Sequence, residues 1–544
     1  MTANGTIWQA LAAAAGTPRG IRVLEYDGRS SVLSYASLAR EALLVGGTLV
    51  ARGLRPGDRV ALVIPEIGDF IRAFFGISAA GLVPVPLVPP AQAGDVRTFT
   101  RQTRQLVTAG RVAAVVTSPD LAPLFDLAEI ENRPSILNAD RLRGGPSLVD
   151  AAPSSATDAA LVQFTSGSTA APKGVVLSHA NVHANVLAIA AGLDVTPSDV
   201  GVGWLPLYHD MGLIGMLLAA TYATVDVVIM SPMLFLKRPT VWLEAISTYR
   251  GTISFAPSFA YDLCLRRVKP SQMHQIDLSS WRVSGCGAEP IHALTLQTFA
   301  DRFACAGFNP TSFVPSYGLA EHSLAVTFSR GGLKVDSVDP ARLGRDSRAV
   351  PTINGSPAVQ IVSCGRPSPR HEVAVVDEHG APLPERHVGR IVARGPSVMV
   401  GYFDDPAATA EALAGGWLHT GDVGYLADGE LYVCGRLKDV IIRQGRKYHP
   451  PDLEASIADV QGVRPSGVVV FGVNRPAEAD EVVVVLEARG ATASDAIAEV
   501  VRRRVRETAG LEIDRIVLAP PGTIPRTTSG KIRQIGRASC RERV

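Results

Sequence analysis

The residues that are best suited to bind or react with a substrate form one short loop. Residues 165–174, TSGSTAAPKG, directly follow the apolar run ALVQF. A buried strand that delivers hydroxyls, glycines and one lysine supplies backbone N–H groups, O–H donors and a cation, which together can hold a polyphosphate. A Ser/Gly surface turn is the alternative. The loop is not a Walker motif, because GxxxxGK[ST] cannot be aligned on it, so the sequence does not favour a kinase or a common ATPase.

Five further motifs follow this loop along the chain. They are GAEP at 287–290, YGLAE at 317–321, TGD at 420–422, GRLKD at 435–439 and PRTTSGK at 525–531. Together with the loop, they resemble in residues and order the signature of the adenylate-forming superfamily, which includes acyl-CoA synthetases, luciferases and the adenylation domains of peptide synthetases. The resemblance implies that the protein uses ATP and Mg²⁺ to convert a carboxylic acid into its acyl-AMP.

The resemblance also implies which residues hold the nucleotide. Tyr317 is expected to lay its ring on the adenine, and Asp422 to accept hydrogen bonds from both ribose hydroxyls, with Arg436 beside them. The backbone at 287–289 is expected to line the base. The full set implied for nucleotide binding is Thr165, Ser166, Gly167, Ser168, Thr169, Lys173, Gly287, Ala288, Glu289, Tyr317, Gly318, Asp422 and Arg436. Taken singly, a tyrosine before glycine is more often a core residue, and an Asp in a TGD turn is usually a turn former.

The implied reaction needs cations at its centre. Joining a carboxylate to the α-phosphate of ATP brings two anions together, and their repulsion at ~4 Å is about 4 kcal/mol at an effective dielectric constant of 20. By resemblance, Lys531 bridges these two anions, while Glu321 holds Mg²⁺ on the phosphates with Thr169 as a second metal-side residue. His209, in WLPLYHDMGLIG, matches a position near the entrance for the acyl carboxylate, with a structural core histidine as the alternative. Lys438 matches the hinge about which the C-terminal domain rotates.

Several segments resemble one branch of the superfamily, the fatty-acyl-AMP ligases, which hand acyl-AMP to acyl carrier domains of polyketide and lipopeptide pathways. They include FIRAFFGISAAGLVPVPLVPP, PSFAYDLCLRR and RQGRKYHPPDLE. Residues 327–362 are longer than an acyl-CoA synthetase needs there, and resemble the insertion that limits rotation of the C-terminal domain in this branch; a floppy surface loop is the alternative. The predicted partners are therefore a fatty acid, ATP and an acyl carrier protein. An acyl-CoA synthetase is the alternative function.

Two other functions are weighed against this one. An amino-acid substrate requires a carboxylate for its α-amine, and Asp262 in FAYDLC could supply it, but the same pattern belongs to the fatty-acid branch. A regulatory pseudoenzyme would retain TGD but lose Lys531 or Glu321, and both are present. The enzyme is therefore the predicted function.

Three positions depart from the superfamily pattern. Ala170 stands where the phosphate loop usually has glycine, Cys286 replaces the usual Asn before GAEP, and Arg390 replaces the usual Glu in GRI. None of them removes a catalytic group, although a Cβ at position 170 costs roughly 1 kcal/mol if the loop needs a positive φ there.

The elements that must position these motifs follow from hydrophobic periodicity. Leu38, Ala42, Val45 and Leu49 share one helical face, and LRPGD then turns the chain into the apolar run VALVI. Helix, turn and buried strand recur through the large region, which predicts an α/β fold with largely parallel sheets. After about residue 360, short strands broken by turns predict a β-rich subdomain, and the last part of the chain alternates strands and helices.

These patterns predict the domain organisation. We expect a large N-terminal AMP-binding domain at 1–436, built of two α/β subdomains plus a β-rich subdomain and containing the insertion at about 327–362. A small mobile α+β C-terminal domain is expected at 437–534. Residues 535–544, IGRASCRERV, resemble a translated sequencing adapter and are expected to be a non-native tail, with a natural basic tail as the alternative.

Composition excludes other classes of function. The 544 residues carry 53 Lys plus Arg and 51 Asp plus Glu, a net charge of +2, which offers no electrostatic footprint for nucleic acid or an anionic membrane. The six cysteines form no CxxC pair and have no histidine at ligand spacing, which argues against a zinc site or a disulfide framework. No basic segment precedes the short N-terminal alanine run, and no apolar stretch reaches ~20 residues. The sequence predicts a cytoplasmic enzyme without a signal peptide or membrane anchor.

Overall fold

The computed structural model describes residues 5–90, 96–125, 127, 130, 133–165, 172–352, 356–443, 446–458, 460–473, 481–488 and 495–524. The helices are α1 (Ile7–Ala14), α2 (Tyr35–Ala51), α3 (Ile67–Ala79), α4 (Val96–Ala109), α5 (His179–Gly192), α6 (Asp210–Gly212), α7 (Ala219–Ala223), α8 (Pro232–Lys237), α9 (Thr240–Thr248), α10 (Ser258–Arg267), α11 (Pro270–Met273), α12 (Ala293–Phe303), α13 (Pro340–Asp346), α14 (Pro406–Ala412), α15 (Pro450–Ile457) and α16 (Asp495–Ala509).

The strands are β1 (Gly20–Leu24), β2 (Ser30–Ser34), β3 (Arg59–Val63), β4 (Val83–Pro86), β5 (Ala114–Thr117), β6 (Ser135–Asn138), β7 (Ala159–Thr165), β8 (Lys173–Ser178), β9 (Val200–Gly203), β10 (Asp226–Met230), β11 (Ile253–Ala256), β12 (Val283–Cys286), β13 (Phe313–Gly318), β14 (Ala325–Phe328), β15 (Val335–Val338), β16 (Val359–Val362), β17 (Arg366–Pro367), β18 (Glu372–Val376), β19 (Gly389–Arg394), β20 (Gly401–Tyr402), β21 (Leu418–Ala427), β22 (Glu430–Arg436), β23 (Ile441–Arg443), β24 (Arg446–Tyr448), β25 (Val463–Val473), β26 (Glu481–Ala488) and β27 (Arg515–Ala519).

The predicted amphipathic helix and the strand after it are both present, as α2 and β3. Leu38, Ala42, Val45 and Leu49 are at most 1% exposed, and they form the buried face of α2. The side chain of Ser34 caps the helix by accepting the Ser37 N–H at 3.0 Å. Strand β3 lies inside a parallel sheet of order β4–β3–β5–β6.

A nine-stranded sheet forms the centre of the molecule. Its order is β17–β14–β13–β12–β11–β9–β10–β1–β2. The six strands from β13 to β1 run parallel, and antiparallel strands lie at both edges. The predicted α/β class with largely parallel sheets is confirmed. The carboxyl ends of β11, β12 and β13 meet at one edge, which is where open α/β sheets bind ligands.

The chain after residue 365 is β-rich, as predicted. Strands β18, β19, β21 and β22 form an antiparallel sheet in that order. The insertion (residues 327–362) is not a structureless loop in its described part: β15 and β16 pair as antiparallel strands, and α13 lies between them along the chain.

The C-terminal part has its own α+β core. Strands β25, β26 and β27 form a sheet, and α15 and α16 pack with it around an apolar cluster that includes Ile441, Leu453, Val484 and Val501. The small α+β unit expected from the sequence is therefore present, whereas the domain boundary at 436/437 stays a prediction. In the described residues, none of the helices combines the length and the apolar composition that crossing a membrane requires.

Candidate active site

A cavity of about 1740 Å³ opens at the carboxyl edge of the nine-stranded sheet. Residues shortly beyond the ends of parallel strands line it, including Phe259 in the first turn of α10 after β11, and Ala288 after β12. Residues of the C-terminal part, such as Asp452 and Arg504, line it from the other side. The cavity therefore lies between the large region and the small α+β part, and it is the candidate active site.

Most of the residues predicted from the sequence meet in this cavity. Those in its lining are Thr165, Lys173, His209, Ala288, Glu289, Tyr317, Gly318, Glu321, Asp422, Arg436 and Lys438. Gly287 lies beside the lining, directly ahead of Ala288. Ser166, Gly167, Ser168, Thr169 and Lys531 lie outside the described residues, as does Ala170.

Asp422 is held by two side chains. Tyr317 Oη donates to its Oδ2 at 2.5 Å, and Arg436 Nε contacts its Oδ1 at 2.9 Å. Asp422 and Arg436 are cross-strand partners on β21 and β22, so the hairpin itself sets their spacing. Burial raises the pKa of Asp422 although the charge of Arg436 opposes this. A carboxylate has about four acceptor sites, so each oxygen can still accept a further hydroxyl proton.

Glu321 lies in a short turn after β13 and is fixed at two points. Its carbonyl oxygen accepts the Met399 N–H at 2.9 Å, and its Oε1 accepts the Tyr402 hydroxyl at 2.9 Å. Lys173 Nζ lies 4.8 Å from the centre of the Tyr402 ring, so Tyr402 contacts both a predicted phosphate-side cation and a predicted metal-side carboxylate. Tyr402 was not predicted as a site residue, because nothing in the surrounding GYF marks its hydroxyl as a functional group.

The two ends of the predicted phosphate loop are brought together by a hairpin. Strand β7 ends at Thr165 and β8 begins at Lys173, and these two residues are cross-strand partners. Residues 166–171, which lie between them, are outside the described part. Gln163, two residues before Thr165, donates from Nε2 to the Tyr208 carbonyl at 2.9 Å and so ties β7 to the segment that carries His209.

His209 lines the cavity at the start of an irregular helix. Its Nδ1 accepts the Met211 N–H at 3.3 Å and lies 2.6 Å from Asp210 Oδ1, so these two neighbours orient the ring. The chain continues through α6 into a π-helical turn at 213–218, a distortion that is frequent at functional sites.

The GAEP segment is shaped by close packing. A Cβ on Gly287 would lie 2.8 Å from the Ser316 carbonyl oxygen, so only glycine fits this close approach to β13. Ala288 adopts φ +71°, a left-handed conformation that costs of order 1 kcal/mol or more for a residue with a Cβ. Glu289 Oε1 accepts the Phe259 N–H at 2.7 Å, which satisfies a backbone donor in the first turn of α10.

One wall of the cavity is apolar. It includes Ile189, Met211, Phe255, Phe259 and Phe328. Such a surface suits a hydrocarbon chain.

Asp262, the carboxylate considered above as a partner for an amino-acid amine, is already in an ion pair. Asp262 lines the cavity, and Arg266, one helical turn later, contacts it at 2.6 Å. This ion pair reduces its suitability as a partner for an amino-acid amine.

The insertion is anchored to the β-rich sheet and touches the C-terminal part. Asp336 Oδ2 accepts from Arg386 Nη1 and from Tyr425 Oη, both at 2.8 Å. Helix α13 packs against β24, and a Cβ on Gly344 would lie 3.0 Å from the Lys447 carbonyl oxygen. The insertion therefore lies between the β-rich sheet and the small α+β part.

Two of the three departures lie in the described residues, and one of them, Arg390, lines the cavity. Cys286 is fully buried, and its Sγ lies 3.4 Å from Ser258 Oγ. Arg390 donates to the Asp377 carbonyl from Nε at 3.0 Å and from Nη2 at 2.5 Å. Both residues have local structural partners.

Comparison with known proteins identifies the family. The model of the AMP-binding enzyme family matches residues 11–403. A putative acyl-CoA synthetase of Caulobacter vibrioides is 39% identical, with coverage of 97% of this chain and 93% of the relative. A long-chain-fatty-acid–AMP ligase of Mycobacterium marinum is 34% identical, with coverage of 96% and 93%.

A solved structure from work on fatty acyl-adenylate ligases of E. coli and L. pneumophila superimposes with a TM-score of 0.93 at 36% identity. It covers 99% of this chain and 98% of the known one. These matches confirm the resemblance seen in the motifs. The chain belongs to the AMP-binding enzyme family.

Proposed function

We propose that this protein activates a fatty acid with ATP, forms the acyl-AMP and releases pyrophosphate. The observation that carries the proposal is that three features line one cavity: Asp422 with its partners Tyr317 and Arg436 (the Asp422 group), the Glu321 carboxylate, and an apolar wall. Similarity over almost the whole chain to fatty-acid–AMP and fatty acyl-adenylate ligases supports the same function.

In this reaction one carboxylate oxygen of the fatty acid attacks the α-phosphorus of ATP. The bond between that phosphorus and the bridging oxygen breaks, and pyrophosphate leaves with the electron pair. No covalent bond to the enzyme forms. Catalysis then rests on holding the reactants together and on compensating their charges.

The Asp422 group supplies the nucleotide site. We infer that Asp422 accepts the ribose hydroxyls while Tyr317 and Arg436 hold its two oxygens in place. Tyr317 then offers its ring to the adenine, with Gly318 and the backbone at 287–289 beside the base. Thr165, Lys173 and the loop of Ser166, Gly167, Ser168 and Thr169 are the proposed phosphate contacts.

The residues around Glu321 are suited to Mg²⁺. This ion is usually held by one or two carboxylates together with substrate phosphates, and Glu321 presents one carboxylate to the cavity within reach of the loop ends. Glu321 and the Thr169 hydroxyl are the proposed protein ligands. When bound, Mg²⁺ would neutralise phosphate charge. Tyr402 keeps the Glu321 carboxylate in one orientation.

Lys531 is proposed to lie between the two reacting anions, and His209 to lie near the entering carboxylate. Lys438 is the proposed hinge between the domains at 1–436 and 437–534. Its place in the short turn between β22 and β23, where the chain leaves the β-rich sheet for the small core, supports this role.

The proposed acceptor of the acyl group is an acyl carrier protein. The insertion is tied to β21 through Tyr425 and packs on β24, so it opposes rotation of the C-terminal part. The alternative is transfer to coenzyme A, which the 39% identical putative acyl-CoA synthetase favours.

The proposed location is the cytoplasm. Among the described residues the cysteines are free thiols, four of them buried, as expected in a reducing compartment.

The acceptor is tested by incubating the protein with ATP, Mg²⁺ and a panel of fatty acids, with either coenzyme A or a phosphopantetheinylated carrier protein. The proposal predicts abundant acyl-AMP, efficient loading of a cognate carrier and little acyl-CoA. Acyl-CoA synthesis at rates comparable with adenylation would support the alternative.

A further inference from the structure

A carboxylate that the proposed reaction does not use is completely buried in the C-terminal part. Glu487 lies near the end of β26, and its side chain is 0% exposed. Its Oε2 accepts from Arg464 Nη1 at 2.7 Å. A buried charge is costly unless it is paired and hydrogen-bonded, so the remaining oxygen also needs donors.

These donors come from the backbone after β27. Glu487 Oε1 accepts the N–H groups of Gly522 and Ile524, both at 2.9 Å. Ile524 is 2% exposed and packs in the apolar cluster of Phe471 and Val485. Because hydrogen bonds to a charged acceptor are roughly twice as strong as neutral ones, Glu487 fixes the course of the chain at 522–524.

Close packing against Gly467 restricts the position of the Glu487 side chain. A Cβ on Gly467 would lie 2.8 Å from Glu487 Cβ and 2.9 Å from Arg464 Cβ. The two side chains therefore pack directly over the bare backbone of Gly467 on β25, the strand that also carries Arg464, at the irregular register between β25 and β26. Any side chain at position 467 would displace the pair.

The anchored segment leads to the lysine that the proposed function uses. Lys531 follows Ile524 by seven residues in the sequence. Seven residues span at most ~25 Å when extended, so the point where the chain is fixed limits where the lysine can act. Arg464, Glu487 and the 522–524 backbone thus set the origin of the PRTTSGK segment.

We propose that Glu487 is a positioning residue for adenylation, which acts through Lys531 by anchoring the backbone from which the lysine segment departs. This inference rests on the proposed role of Lys531. It assigns to Glu487 no contact with substrate.

The test compares Glu487→Gln in two backgrounds. In the otherwise unchanged protein, we expect kcat for acyl-AMP formation to fall about tenfold, while KM for ATP and for the fatty acid change less than about twofold. In a Lys531→Ala background, measured by single turnover with enzyme in excess, the same substitution should change the rate less than about twofold, because the group through which it acts is gone. An equal loss in both backgrounds, or no loss in either, would overturn the proposal.

Matched variants separate positioning from stability. Val470→Ala removes buried volume from the opposite face of the same sheet, and should lower the unfolding temperature with little effect on kcat. Gly467→Ala should displace the Arg464–Glu487 pair and reproduce the selective fall in kcat. This variant replaces Glu487→Gln in the test if Glu487→Gln does not fold. Unchanged kcat in folded Gly467→Ala counts against the proposal. Near-normal activity of Lys531→Ala alone would instead contradict the proposed role of Lys531.

Discussion

The hydroxyl of Tyr317 donates to Oδ2 of Asp422 at 2.5 Å, across 105 residues of chain. This bond joins the residue proposed for the adenine to the residue proposed for the ribose. Arg436 holds the other oxygen of the same carboxylate. The three side chains of the proposed nucleoside site are therefore connected, and a substitution of any one of them should weaken ATP binding.

Asp422→Asn should raise KM for ATP at least about thirtyfold, which corresponds to a loss of roughly 2 kcal/mol in binding free energy. The amide offers the ribose hydroxyls one acceptor oxygen in place of two, and it leaves Arg436 without its anion. Because burial raises the pKa of Asp422, kcat/KM for ATP should also begin to fall at a higher pH than an ordinary aspartate would give. Steady-state kinetics against pH checks both expectations. The exposed Asp301→Asn is the control, and an unchanged KM in Asp422→Asn would contradict the ribose assignment.

Lys531→Ala should lower the rate of acyl-AMP formation by two or more orders of magnitude, about 3 kcal/mol of transition-state stabilisation. The loss should be in kcat, because the lysine is proposed to compensate charge that accumulates as the two anions meet. ATP affinity, measured by calorimetry, should change little. Near-normal pyrophosphate release by this variant would remove Lys531 from the mechanism.

Asp336→Ala should loosen the insertion, because it leaves Arg386 and Tyr425 without their shared acceptor. If the docked insertion disfavours a coenzyme A-competent pose by ~3 kcal/mol, loosening it should raise acyl-CoA output by tenfold or more while adenylation continues. Asp336→Asn keeps an acceptor for Tyr425 and should have a smaller effect. Hydrogen exchange in β15 reports the loosening, and unchanged acyl-CoA output despite faster exchange would show that hindered rotation is not the cause.

Asp452 should make the stability of the protein depend on pH. Burial, together with the nearby charge of Glu454, raises its pKa to about 7, whereas an unfolded aspartate titrates near 3.9. The folded state therefore holds the proton more tightly, so its contribution to stability is complete below about pH 4 and is lost as pH rises toward 7. Asp452 is only half-buried, so we expect a loss of about 2 kcal/mol.

Denaturant unfolding of the wild-type protein and Asp452→Asn at a series of pH values measures this effect. The variant should be more stable than the wild-type protein by an amount that grows from pH 4.5 to pH 7.5 and then stays level. Parallel curves for the two proteins would show that Asp452 titrates normally.

Local patterns predicted the scaffold well because they depend on neighbouring residues. The buried face of α2 and the strand β3 follow directly from the spacing of Leu38, Ala42, Val45 and Leu49. The motif residues that line the cavity could also be selected from the sequence, because they stand in short motifs such as YGLAE and TGD; their contacts with a nucleotide stay a prediction.

Contacts between distant segments could not be predicted in the same way. The Tyr402–Glu321 bond, the capping of α10 by Glu289 and the Glu487 anchor each join residues at least 30 positions apart, and only tertiary packing brings them together. For the insertion, the sequence indicated extra length, whereas its strands and helix form because Asp336 and its neighbours pack on β21.

The most direct test of the central claim follows one oxygen atom. A fatty acid with an ¹⁸O-labelled carboxylate is incubated with the protein, ATP and Mg²⁺, the acyl group is then transferred to a thiol, and the nucleotide product is examined by mass spectrometry. Attack of the carboxylate on the α-phosphorus places one labelled oxygen in AMP, because the later transfer breaks the bond between that oxygen and the acyl carbon. Labelled AMP formed together with unlabelled pyrophosphate is the predicted result, and label in inorganic phosphate with ADP as the nucleotide product would contradict adenylate formation.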